Sequence, residues 1–203
     1  MSPADFDQFI QQAWQDHADD TAAVAQRLRS ALDGVDRAER IGPYAQLVSH
    51  VFGEHLGDWG AGIELMAALR ARPGADDATA AVLLTRYDAG LRLARGDAGT
   101  LEPLPIDERI TVQGIVSSAF ANLRRFDEAV AAYDAALALA APGLPDGSPA
   151  LRALAVGGNN LAASLEEMPT RSRALDEAML RAAQGGLVYW RRAGTWLRSE
   201  EHT

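Results

Sequence analysis

Apolar residues recur at three- and four-residue spacing along most of the chain, and polar breakers cut the pattern into helix-sized segments. Phe6, Phe9, Ile10, Ala13 and Trp14 form one wide apolar face, predicting a helix from Pro3 to about Asp16 with Ser2 as N-cap. Asp19, Asp20 or Thr21 can cap a second helix running to about Leu32, with Val24, Leu28 and Leu32 on one stripe; Gly34 ends it. The third stretch, Asp36 to Leu56, is expected to break or restart at Gly42-Pro43. Gly57-Asp58-Trp59-Gly60 reads as a turn, Ala61 to Arg70 as the returning helix, and Pro73-Gly74 as its stop.

Asp76 or Asp77 caps a long helix through Arg95, and the segment Gly96 to Pro105 follows as an irregular connection inside one domain, 1–203. Ile110 to Pro142 reads as two short amphipathic helices about a polar turn at Leu123–Asp127. Beyond the breakers of Gly143 to Pro149, Ala150–Glu167 and Thr170 to about Gln184 form another pair, with Leu161, Ala162 and Leu165 facing Ala174 and Ala178. Gly185-Gly186 leaves open whether the last helix continues or breaks. No stretch alternates with period two for long enough to make a strand, so the expected fold class is all-α.

Ser117, Phe120, Ala129, Tyr133 and Ala136 fall where the two central helices would touch. That arrangement resembles a tetratricopeptide repeat, a unit of about 34 residues with a W-x2-L-G-x2-Y first helix and an A-x3-F second helix. Ser117 and Phe120 stand at the family's Gly and Tyr, and Gln113 and Val116 replace its Trp and Leu. Ala129, Tyr133 and Ala136 match the second helix, and Pro142 falls near the closing Pro. Residues 36–73 and 150–184 look like degenerate pairs of the same kind, with Gly53, Trp59 and Gly62 corresponding to Phe120, Phe126 and Ala129. Trp190, Ala193, Gly194 and Leu197 repeat the first-helix spacing, so about 187–199 is expected to be a capping helix.

The resemblance implies an α-solenoid of eight to ten helices, stacked as antiparallel pairs in a right-handed superhelix with a concave face. It also implies binding of an extended peptide or partner helix along that face. Carried onto matching positions, the lining comprises Thr111, Gly114, Ser118, Asn122, Asn159, Arg191, Thr195 and Arg198. The two asparagines would bond a peptide backbone and the two arginines a carboxylate.

Composition narrows the chemistry. The chain has no cysteine, which excludes disulfides, thiolate ligands and cysteine nucleophiles, and all of its 19 basic residues are arginine. A net charge of −9 argues against nucleic acid. No signal peptide is expected, and no apolar run approaches the ~18 residues that span a membrane; the expected location is cytoplasmic, with no membrane partner. The basic C-terminal segment, from Arg171 and Arg173 through Arg181, Arg191, Arg192 and Arg198, reads as a solvated helix face.

G-x-S-x-G and phosphate-loop motifs are absent. Acidic pairs such as Asp19-Asp20 and Asp76-Asp77 fit helix N-termini, and Glu166-Glu167 is expected to pair with Arg171 or Arg173. His50 and His55, in HVFGEH, would stand about 140° apart on an α-helix, so neither a metal site nor any other cofactor is expected. The resulting expectation is a non-catalytic adaptor that binds a protein or peptide. The alternatives are a self-associating homodimeric scaffold and a helical small-ligand sensor with a pocket at Gly96–Pro105.

Overall fold

A computed structural model of the protein describes residues 3–193. Nine α-helices and no strand occur among them, as the absence of period-two alternation requires. The chain divides after Thr100 into two compact units, and the division falls within the Gly96–Pro105 connection.

The first unit holds α1 (Pro3–Asp16), α2 (Thr21–Ala31), α3 (Ala38–Val48), α4 (Trp59–Arg70) and α5 (Ala78–Ala94). Asp20, Asp58 and Asp77 cap α2, α4 and α5 by accepting from the amides of Ala23, Ala61 and both Thr79 and Ala80. Buried α3 forms the centre: Ile41, Tyr44, Ala45, Leu47 and Val48 are wholly enclosed. The Tyr44 hydroxyl donates to the Leu28 carbonyl at 2.5 Å, and burial pushes its pKa up. Arg40, 3% exposed, donates to the Gly34 carbonyl at 2.6 Å and to Asp36 at 3.0 Å, with its guanidinium over the Phe6 ring. That one side chain ties α1 to the entry of α3.

Two boundaries differ from expectation. Gly42-Pro43 does not break α3, because its surroundings hold the helix although Pro43 has no amide to donate. Beyond Val48 the helix widens into a π-turn, Ser49–His55, with i→i+5 hydrogen bonding. Helix α5 then packs across α3 and α4. A Cβ on Gly62 would lie 2.9 Å from Leu91 Cδ1, so any side chain there would have to displace the tip of Leu91.

The second unit holds α6 (Ile106–Asn122), α7 (Phe126–Ala140), α8 (Pro149–Glu166) and α9 (Arg173–Ala193). The five residues expected at the α6–α7 contact, Ser117, Phe120, Ala129, Tyr133 and Ala136, are all buried, and Ser117 Oγ donates to the Ala129 carbonyl at 2.9 Å. Arg124 turns the chain between these helices with φ of +62°, a left-handed conformation usually left to glycine. Helix α6 packs on both α7 and α8, and α8 lies along α9. Ser148 caps α8 and donates to Asp107 at the start of α6.

Gly185-Gly186 does not end α9. The pair meets Gly157-Gly158 of α8 so closely that a Cβ on Gly158 would stand 2.6 Å from the Ala182 carbonyl oxygen. Tyr133 fills the same crossing and donates to the Leu154 carbonyl at 3.0 Å. Leu187 to Ala193 therefore continue α9 and do not start a separate helix. Along α9, Ala178 and Ala182 are the buried alanines, while Ala174 is exposed because it sits in the first turn, before the helix settles onto α8. Arg171 caps the end of α8 through the carbonyls of Leu165, Glu166 and Met168 and pairs with Asp176, while Arg173 pairs with Glu177. The expected pairing with the carboxylates of Glu166-Glu167 gives way to this carbonyl cap.

Ala129→Glu places a carboxylate at a fully enclosed helix contact with no partner. A loss of about 3 kcal/mol or more is expected, lowering the thermal midpoint by on the order of 10 °C by circular dichroism. An unchanged midpoint would contradict the placement of this contact.

Candidate metal centre

Three of the four histidines, His17, His50 and His55, meet in the first unit. His17 follows the last turn of α1, and the π-turn supplies the other two. One ring nitrogen from each lies within 4.8 Å of the other two, and His50 Nε2 stands 3.1 Å from His55 Nε2. With Zn–N bonds of about 2.0–2.1 Å, tetrahedrally arranged imidazole nitrogens stand about 3.4 Å apart, so the spacing suits a shared cation. The rings meet edge to face, at interplanar angles of 63° to 83°, and converge instead of stacking.

Hydrogen bonds fix which nitrogen is available. His17 Nδ1 lies 2.6 Å from the Trp14 carbonyl, which can only accept, so Nδ1 carries the proton and Nε2 keeps its lone pair. His50 Nδ1 lies 3.2 Å from Glu54 Oε2, and the carboxylate fixes that ring in the same tautomer. Both rings thus present Nε2 lone pairs, and His55 Nε2–H can donate to His50; to share a cation, His55 would have to carry its proton on Nδ1. The Trp14 indole packs 4.9 Å from the His50 ring and 5.4 Å from that of His17, excluding water from one side.

The π-turn explains why periodicity at 100° per residue misplaces these groups. An i→i+5 turn brings the fifth residue back beside the first, so His50 and His55 become neighbours. Behind them Val51, Phe52 and Gly53 are buried, and Trp59 donates to the Gly53 carbonyl at 3.3 Å. His17 could not be associated with HVFGEH from spacing, because the approach of α1 to the π-turn is tertiary. The partial signal in the sequence is that three of the four histidines fall between positions 17 and 55.

The described residues among those expected to line a groove lie in the second unit. Thr111 and Ser118 are half-buried on α6, with Thr111 Oγ1 donating to the Asp107 carbonyl at 2.8 Å; Asn122 is exposed at the end of α6 and Asn159 is exposed on α8. Gly114 approaches the Ala153 carbonyl of α8. Helices α6 and α8 thus run together, whereas Arg191 is exposed on α9. Thr195 and Arg198, like Ser2 and the far end of the expected capping helix, lie outside the described residues.

No protein-family model, curated protein or solved structure matches the chain.

Burial and the neighbouring His50 and His17 lower the pKa of His55 below its ordinary 6.5, with Glu54 opposing. The folded chain then binds fewer protons here than the unfolded chain, so this contribution is full above pH 6.5 and is lost as pH falls below it. Protein treated with a chelator should lose thermal stability from pH 7.5 towards pH 5, and His55→Gln should flatten that slope. An equally steep slope in the variant would contradict the assignment.

Proposed function

We propose that the first unit binds one transition-metal ion of the zinc class through His17, His50 and His55. The observation that carries this reading is the convergence of three imidazoles, two of which have their tautomers set, His17 by a carbonyl and His50 by a carboxylate. Neutral imidazole suits Zn, Co, Ni and Cu, while Mg and Ca demand oxygen donors. A cation here would join the end of α1 to the π-turn, and because only neutral imidazole ligates, protons compete with it as pH falls.

Calorimetry of tag-free, chelator-treated protein with zinc at pH 7.5 tests the proposal. One ion per chain is expected, with binding abolished in His50→Ala/His55→Ala and weakened about 10–100-fold in Glu54→Gln, whose residue only orients His50. Binding that is equal in wild type and the double variant would refute it.

A second reading concerns the second unit. Its packing order, α6 on α7 and α8, and α8 on α9, is that of two stacked antiparallel hairpins and supports a divergent tetratricopeptide-like repeat that binds a protein or peptide without catalysis. Ser118 and Asn159 then belong to the partner-facing side of α6 and α8. A partner recovered with wild type should be lost with Ser118→Arg/Asn159→Arg at unchanged circular dichroism; undiminished recovery would remove that face from the account.

A further inference from the structure

We infer that the metal at His17, His50 and His55 keeps an open coordination position, and that this position takes a small anionic oxygen or nitrogen donor. The inference rests on the metal reading above and deepens it.

Four-coordinate structural zinc sites draw all four ligands from protein, usually including thiolates. This chain has no cysteine, and among the described residues three donors converge. The neighbouring carboxylates are committed elsewhere. Glu54 reaches His50 at Nδ1, on the edge of the ring away from Nε2, and it is not among the groups whose ligand atoms converge with those of His17 and His55. Asp16, beside His17, gives one oxygen to Arg27 at 2.7 Å and the other to Gln12 at 2.7 Å. Asp20 is occupied in capping α2.

Charge selects the class of ligand. Three neutral imidazoles leave the ion's two positive charges undiminished, and the single carboxylate at His50 Nδ1 offsets one of them. The remaining positive charge favours an anion over a neutral donor, with water as the ligand that is displaced. Access is available, because the three histidines are half-buried and the His50 side chain is 20% exposed. A catalytic metal has the same arrangement, three protein ligands and one exchangeable position at which a bound oxygen is polarised.

The test uses the full chain loaded with one equivalent of cobalt(II), titrated with sodium azide and, separately, sodium acetate. A saturable change in the visible d–d bands is expected, with one anion per cobalt, reversed on dialysis. Cobalt that stays bound while its spectrum ignores both anions shows a closed site and overturns this inference alone. Failure of cobalt to bind overturns the metal reading with it. Glu54→Gln separates the roles of the carboxylate: weaker cobalt binding with the azide response retained is expected. A response seen only in that variant would mean that Glu54 fills the fourth position in the wild type, and would overturn the inference.

Discussion

Close approach of helices at small residues is the constraint on which both units depend. In an alanine- and glycine-rich chain, helices come near enough for backbone and short side chains to make contact alongside enclosed larger groups such as Tyr44, Phe52 and Leu69. In the first unit Gly53 and Gly62 let Leu91 settle against the π-turn and α4; in the second Gly157-Gly158 and Gly185-Gly186 admit Tyr133 between α8 and α9. A methyl group at Gly62 or Gly158 would demand displacement of a neighbour, at Gly158 of backbone. Residues that read as helix breakers in isolation therefore serve as contact surfaces.

The candidate metal centre follows from that packing. Val51, Phe52 and Gly53 are held inward by contact with the core, and the π-turn takes up the extra residue that this register demands. His50 and His55 are left side by side at the edge of the core, where His17 and Trp14 of the α1 end reach them. A carbonyl and a carboxylate then decide the tautomers of His17 and His50. A π-turn costs hydrogen-bond regularity, and such turns recur at functional sites; here the irregularity is what gathers the imidazoles.

Much of the helical layout was legible because its signals are local. Asp20 and Asp77 cap the helices that their positions suggested, Asp58 and Ser148, read as turn residues, prove to cap α4 and α8, and the contact residues Ser117, Phe120, Ala129, Tyr133 and Ala136 are buried as their spacing implied. The break at Gly42-Pro43 and the separate helix from Leu187 were misjudged, and Gly185-Gly186 was left open, because breaker strength is a local property that enclosure overrides. The histidine cluster was illegible for two reasons. The 100° rule fails across a π-turn, and nothing in a single sequence places His17 beside a segment 33 or more positions away.

The central claim is that the three imidazoles bind one ion together. X-ray absorption spectroscopy of the zinc-loaded full chain measures this directly. The account predicts three imidazole nitrogens at about 2.0 Å and one further light donor. A shell with fewer than three imidazoles, or one unchanged in a chain lacking His17, would contradict it.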